Sequence, residues 1–475
     1  MIGVTNAEQR AQAPFVVRNE FFGGLVYARD RGSYLSFDED LIKVLRLSCS
    51  LSLDEIFAQV YGARACQASL TDKDYRKDFE QLVNCFRSYS MFENDRFQGV
   101  FIDNEVPSSC DSLTAPLAVN LQLTNYCQFT CKHCWIDRAR SNQVLSKEDV
   151  KKLLRQLADA GVFVVNFGGG QAIARSDFSE IARFANSLGL RLNLSVNVSN
   201  LTDAYMRRLI DVDIASFKVG IAAGNEKSWE NVRNGNAFKQ FKRGLEKLAA
   251  YVGERPQSGI VFSAVLCKDN CGELVNIISF VNGCAQRLNL SKPLLKVGLA
   301  LPVPGANGQI DADAFMSSSE IEGIVSRINE YQNNKTSAEI VEVQADFAVP
   351  SQRGSAWPNE RDTGAVACKC GTLSCYISER GYVYPSGILS RVLPAHDAND
   401  LRKHSLTEIW LSEAMSNFRR VKVSEPCRSC EHLAYCHGGC RSRAYLFSKN
   451  CAAIDPWCSL HHTLEKNYDR NSRKR

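Results

Sequence analysis

The chain of 475 residues is 45% apolar and 23% charged, with a formal net charge of +5, a profile that suits two or three packed domains and excludes a disordered chain. No run of about 18 apolar residues is present to span a membrane, and the N-terminus lacks a charged-then-apolar targeting signal. The basic tail Arg470–Arg475 reads as a solvated end rather than a nucleic-acid arm, so a cytoplasmic protein with neither membrane nor nucleic-acid partner is expected. Nineteen cysteines in a chain of this size and compartment point to metal ligation or buried thiols rather than to disulfides.

Taken from the N-terminus, Phe15–Arg18, Gly24–Arg29 and Tyr34–Phe37 read as short strands, with Phe21–Gly24 as turn material. Apolar residues then recur at helical spacing over Asp38–Leu47, Leu53–Tyr61 and Thr71–Ser88. Ser52 or Asp54 suits the cap of the second helix, and Thr71 that of the third. This winged-helix-like order resembles the leader-peptide-binding domain called the RiPP recognition element. The resemblance implies that an extended leader peptide adds a strand to the sheet edge, against the third helix. A DNA-binding winged helix and a dimerisation cap are the alternatives. The third helix mixes Lys73, Arg76, Lys77 and Arg87 with Asp72, Asp74, Asp78 and Glu80, a balance that disfavours phosphate binding.

The strand-like run Leu117–Leu123 leads into Cys127, Cys131 and Cys134, spaced Cys-x3-Cys-x2-Cys. Three thiolates on one short loop can cap three irons of a [4Fe–4S] cube and leave the fourth iron open. A zinc site would need four ligands and would have to borrow His133. The loop resembles the signature of the radical SAM family, in which the open iron chelates the amino and carboxylate groups of S-adenosylmethionine (SAM).

Further strands are expected at Val162–Phe167, Arg191–Val196, Ser216–Ile221, Ile260–Leu266 and Leu294–Leu301. Helices alternate with them, among them Lys147–Ala160, opened by Ser146 with Asp149 and closed by Gly161. The repeat predicts a partial (β/α)6 TIM-like barrel with its chemistry at the C-terminal strand ends. After the second strand stands Gly168-Gly-Gly-Gln-Ala172, where the family has Gly-Gly-Glu-Pro holding the methionine ammonium. The resemblance therefore implies cofactor contacts from Gly169, Gly170 and Gln171, with an uncharged amide in place of the carboxylate. Asn197 aligns with the asparagine of the family's Thr-Asn-Gly, although Val196 and Val198 flank it here. Arg233 matches an arginine aimed at the cofactor carboxylate; a solvated surface arginine is the alternative, since Val219–Gly224 lacks the serine and aspartate usual at the preceding strand end. Pro302–Gly305 falls where an adenine edge can rest.

A helix over Asp311–Asn333, a strand over Ala338–Val343 and a linker over Val349–Gly364 are expected next. Beyond them, Cys427, Cys430, Cys436 and Cys440 are spaced Cys-x2-Cys-x5-Cys-x3-Cys, with Cys458 downstream and Cys368, Cys370 and Cys375 upstream. A zinc ribbon is the alternative. The pattern resembles the SPASM extension of radical SAM peptide and protein maturases, which carries auxiliary iron–sulfur clusters. That resemblance implies a distal cluster on Cys427, Cys430, Cys436 and Cys458, and a proximal one on Cys370, Cys375 and Cys440. Ser386 stands where the family has a further proximal cysteine, so that cluster has an open iron, uses Cys368 or Ser386, or is smaller or absent. Gly387 replaces the aspartate base of sulfatase-maturing members, which disfavours formylglycine formation.

The expectation is therefore an α/β chain with a leader-binding domain at 1–100, a radical SAM core at 110–335, a bridging segment at 336–366 and a SPASM-like domain at 367–475. The resemblance implies an enzyme that modifies a ribosomally made precursor peptide through a 5′-deoxyadenosyl radical. Its cofactors would be a [4Fe–4S] cluster with SAM and one or two auxiliary clusters, with flavodoxin or ferredoxin as reductant. Net oxidation suits thioether or other cross-linking. Tyramine-excising splicease chemistry, Cα epimerisation and a non-catalytic Fe–S scaffold are the alternatives.

Overall fold

The computed structural model describes residues 7–65, 72–102, 104–108, 112–129, 131, 134–136, 144–233, 237–291, 293–300, 316–337, 339–345, 369–431 and 433–458. The N-terminal part holds α1 (Ala7–Gln12), β1 (Phe15–Glu20), β2 (Gly23–Ala28), β3 (Ser33–Phe37), α2 (Glu39–Leu47), α3 (Leu53–Ala65) and α4 (Asp72–Ser88). Asp38 caps α2 by accepting from the Leu41 amide. Ser52 and Glu55 exchange bonds at the start of α3, so Ser52 rather than Asp54 takes that role. Thr71 lies outside the described residues. A two-residue hairpin, β4 (Phe92–Glu93) and β5 (Arg96–Phe97), leads into β6 (Gly99–Ile102), which pairs parallel with β1. The sheet is therefore four-stranded, in the order β3-β2-β1-β6, with β3 at a free edge. The expected trio of strands is present, and β6 was missed because so short a run carries no readable period.

The barrel strands are β7 (Ala118–Thr124), β8 (Val164–Gly169), β9 (Arg191–Val196), β10 (Ser216–Ile221), β11 (Gly259–Leu266), β12 (Leu294–Leu299) and β13 (Glu342–Ala345). All pair parallel, each with the next. Around them lie α5 (Lys147–Asp159), α6 (Phe178–Ser187), α7 (Asp203–Arg207), α8 (Glu226–Val232), α9 (Phe238–Gly253), α10 (Leu274–Arg287) and α11 (Ser318–Asn334). Alternate strand residues such as Ile260, Phe262, Ala264 and Leu266 are buried against those helices, while the others face the barrel interior. That interior is polar. Asn193 donates to Asn166 at 2.8 Å and Asn166 to Asn120 at 3.1 Å, at one level across three strands.

Two expected elements shift. The helix anticipated from Asp311 starts at Ser318, where Ser317 and Glu320 close a capping box. The strand anticipated over Ala338–Val343 is Glu342–Ala345, whose Val343 and preceding Val341 pack into the main core. Pro302–Gly305 and Val349–Gly364 lie outside the described residues.

The C-terminal part opens with β14 (Ser374–Ile377), which pairs parallel with β7 and antiparallel with β15 (Val383–Tyr384). The barrel sheet thus continues directly into the cysteine-rich end. The helices α12 (Leu406–Leu411), α13 (Glu413–Arg419), α14 (Leu433–Cys436) and α15 (Arg441–Ser448) complete it. Among the described residues no helix is long and apolar enough to cross a membrane.

The N-terminal sheet is locked to the N-terminal ends of the barrel strands. Arg18 is wholly buried, pairs with Glu20 at 2.7 Å, and donates to the carbonyls of Gly161 and Ala115, each at 2.9 Å. Tyr27 stacks on Phe163 with centroids 4.7 Å apart, and Arg191 donates to the Arg29 carbonyl at 2.6 Å. The edge strand β3 therefore belongs to a unit docked on the face opposite the barrel's C-terminal mouth.

Candidate active site at the cysteine loop

The loop after β7 is held by close approach of backbones. The Gly170 amide donates to the Thr124 carbonyl at 2.8 Å, and the Gln171 amide to the Tyr126 carbonyl at 2.7 Å. A Cβ on Gly170 would lie 2.0 Å from the Tyr126 oxygen, and one on Gly169, whose φ is +104°, would lie 2.3 Å from the Thr124 oxygen. Glycine is needed here on both steric and conformational grounds. Gly170→Ala is accordingly expected to displace the loop and to lower its iron content sharply, read by iron and sulfide assay after reconstitution.

Cys127, Cys131 and Cys134 are all half-buried, and the Cys134 amide donates to the Cys131 carbonyl at 3.2 Å. Burial raises the Cys131 thiol pKa, the adjacent Arg233 guanidinium opposes that shift, and the thiols of Cys134 and Cys127 add to it. The three thiols and the Arg233 guanidinium thus lie near enough to shift one another's ionisation. Arg233, just beyond α8, is 7% exposed. It donates from Nη2 to the Gly220 carbonyl at the end of β10, at 3.1 Å, and lies 5.0 Å from the Trp229 ring centroid. Its Nε and Nη1 have no partner among the described residues. Burial pulls its pKa below the usual arginine value and the three thiols pull it back. A buried guanidinium with orphaned donors is costly unless an anion completes it. Thiolate-held metal or a ligand carboxylate would do so, and the donor set fits a [4Fe–4S] cluster with SAM. The alternative of a solvated surface arginine is excluded by this burial.

Gln171 and Asn197 meet each other. The wholly buried Gln171 side chain accepts from the Asn197 amide at 3.0 Å and donates to its carbonyl at 3.2 Å. The Asn197 side chain in turn accepts from the Ser199 amide at 3.2 Å.

Of the C-terminal thiols, Cys427, Cys430, Cys436 and Cys458 share one neighbourhood. Burial raises the Cys427 thiol, reinforced by Cys458 and Cys430, and burial pushes Cys436 up to about 11 with Cys458 among its neighbours. Cys440 stands just before α15 without a capping side-chain bond, and its amide donates to Asp455 at 2.6 Å. Cys375 sits in the main apolar core, where burial pushes its thiol up to about 12 against the pull of Arg419. Cys370 is half-buried and bridges to Ser374, and Cys368 lies outside the described residues. The Ser386 hydroxyl is buried, 2.8 Å from that of Ser442, and accepts from the Leu389 amide at 3.4 Å. Among the described residues no three His, Cys, Asp or Glu side chains converge on one ion position.

Two features escaped the sequence reading. Asp455 is buried and accepts from Arg443 at 2.6 and 2.9 Å as well as from the Cys440 amide; its only sequence signal is the Asp-Pro-Trp-Cys run ending at Cys458. Trp135 meets Tyr376 edge-on at 5.4 Å, and a Cβ on Gly387 would lie 2.6 Å from its ring. The cysteine loop therefore touches the C-terminal part directly, and an aspartate at position 387 would displace the indole.

Comparison with known proteins bears on both ends of the chain. The radical SAM superfamily model matches residues 121–281, and the SPASM iron–sulfur cluster-binding domain matches 368–431. The PqqA peptide cyclase of Bradyrhizobium diazoefficiens is 26% identical over 373 residues, covering 77% of this chain and 92% of its own. The AdoMet-dependent heme synthase of Nitratidesulfovibrio vulgaris is 26% identical over 359 residues, covering 71% and 90%. The crystal structure of Streptococcus suis SuiB bound to S-adenosylmethionine superposes with a TM-score of 0.66 at 15% identity, over 94% of this chain and 99% of that one, and so shares its fold. The chain is thus built on a radical SAM partial barrel, which implies a [4Fe–4S] cluster with SAM, and continues into a SPASM domain, which implies auxiliary iron–sulfur clusters.

Proposed function

We propose that this protein modifies a ribosomally made precursor peptide by radical chemistry at the Cys127–Cys134 loop. The observation that carries the reading is Arg233, buried near three cysteines at the C-terminal mouth of the barrel, with two donors that have no partner among the described residues. In this reading Cys127, Cys131 and Cys134 hold the cluster, Arg233 neutralises the SAM carboxylate, and Gly169, Gly170 and Asn197 shape the rest of the cofactor site. When bound, cluster and SAM supply hydrogen-atom abstraction from an unactivated carbon. The chain's own part is to orient the substrate and exclude water over a polar lumen lined by Asn120, Asn166 and Asn193. Cys427, Cys430, Cys436 and Cys458 hold an auxiliary cluster, with Cys440 on the proximal side.

A peptide substrate is favoured by the N-terminal sheet. Strand β3 is an outer edge whose partly buried Leu35 and Phe37 flank the apolar core shared with α4. An added strand would find main-chain partners on that edge and apolar contact beside it. Among the relatives, PqqA peptide cyclase is named for a peptide, and SuiB has been crystallised with its precursor peptide SuiA. Oxidative cross-linking, with thioether formation foremost, is the reaction proposed: a C–H and an S–H bond are broken and one C–S bond forms. The C–H hydrogen atom would leave with the SAM-derived radical as 5′-deoxyadenosine, and the S–H proton and one electron are released, the electron leaving through an auxiliary cluster. A flavodoxin or ferredoxin would supply the initiating electron. Gly387, covered by Trp135, leaves no room for the base that formylglycine formation uses.

The test is co-expression with small open reading frames beside the gene, followed by mass spectrometry. Loss of two hydrogens from the peptide is expected, whereas an unmodified peptide with every candidate overturns the reading. Leu35→Asp, which puts a charge beside the apolar groove, is expected to weaken binding of the modified precursor more than about tenfold. Peptide-independent formation of 5′-deoxyadenosine should stay unchanged in that variant.

A further inference from the structure

We propose that Gln171 is a positioning residue, an uncharged clasp that closes on the backbone of Asn197 and aligns the ends of β8 and β9 around the cofactor, rather than a ligand of the SAM ammonium. The inference rests on the reading above, in which Asn197 and Arg233 face SAM.

The side chain has no exposed surface, and both ends of its amide are engaged by one residue. Oε1 accepts from the Asn197 amide at 3.0 Å, and Nε2 donates to the Asn197 carbonyl at 3.2 Å. The Gln171 amide meanwhile donates to Tyr126, immediately before Cys127. One residue therefore couples the cysteine loop, the end of β8 and the end of β9. The alignment extends further, because Asn197 caps the turn Val198–Asn200. That turn presses on α9, where a Cβ on Gly244 would lie 1.8 Å from the Val198 oxygen.

Chemistry decides why the residue is an amide. A donor and an acceptor are both required, and glutamine offers both, whereas a carboxylate offers acceptors only. Glutamate here would set an anionic oxygen against the Asn197 carbonyl in a fully buried position, leaving one buried repulsion and one unpaired carbonyl. Methionine, of similar volume, would leave the Asn197 amide and carbonyl both unpaired. A residue contacting the SAM ammonium directly would behave oppositely, since a carboxylate would strengthen that contact.

The experiment uses the full-length, anaerobically reconstituted enzyme with SAM as probe. SAM affinity is measured by equilibrium dialysis, and the change in the EPR spectrum of the reduced cluster on SAM addition is recorded. Gln171→Glu and Gln171→Met are each expected to weaken SAM binding about 10- to 100-fold, as loss of a buried hydrogen-bond pair implies, at unchanged iron content at the loop. Binding by Gln171→Glu as tight as wild type or tighter overturns the proposal, and so does wild-type behaviour of both variants. If neither variant folds, hydrogen exchange on the wild type decides. The Asn197 amide is expected to be protected before SAM is added, and rapid exchange there overturns the clasp. A wild-type enzyme that binds no SAM would instead sink the underlying reading of the site.

Discussion

Replacing Cys127, Cys131 and Cys134 together with alanine is expected to abolish reductive cleavage of SAM while iron stays bound at the C-terminal sites. The physical basis is the separation of the two thiol groups. The loop cysteines and Arg233 influence one another's ionisation, whereas Cys427, Cys430, Cys436 and Cys458 form their own neighbourhood around Asp455. Removing three thiolates takes away the only ligands proposed for the catalytic cluster and leaves the distal set intact. The effect on 5′-deoxyadenosine formation should be total, measured with dithionite and excess SAM. Undiminished product from the triple variant would remove the loop from the chemistry. Melting temperature provides the control, since the loop contributes little apolar burial compared with the barrel core.

The second large effect is expected at Asp455, where Asp455→Ala should destabilise the C-terminal part by about 3–5 kcal/mol, the range for breaking a buried ion pair. Its carboxylate and the Arg443 guanidinium are 3% and 7% exposed and lie 2.6 Å apart. Removing the anion takes its ion pair with Asp455 from the buried Arg443, whose guanidinium lies 3.9 Å from the Trp457 ring centroid. The Cys440 amide loses its acceptor as well. The measurements are denaturant unfolding of the C-terminal transition and the auxiliary-cluster signal. Pairing Asp455→Leu with Arg443→Met should recover most of the stability, because the double variant buries neither charge and keeps similar volume. A single variant as stable as wild type would show that the pair carries no such energy.

Much of this architecture was legible before any fold was known, and the reason is periodicity. The strands Arg191–Val196 and Ser216–Ile221 and the helix opened by Ser146 stand where alternation and capping chemistry place them, because such rules act within one element. The spacing of Cys127, Cys131 and Cys134 is likewise a local signal, carried within one loop. Short β6 and β14 carry too few residues to show a period, and their pairing with β1 and β7 is a long-range event. That second pairing decides that the cysteine-rich end extends the barrel sheet and brings Trp135 against Tyr376. Arg233 illustrates the same division. The sequence by itself determined a residue type suited to an anion, but only the tertiary structure decided that it is buried near the three thiols with two donors that have no partner among the described residues. At Gln171 the sequence determined an amide where a carboxylate was to be expected. Tertiary structure decided its partner, because hydrogen bonds to the backbone of Asn197, 26 residues away, depend on how two strands are brought side by side and leave no trace in spacing or composition.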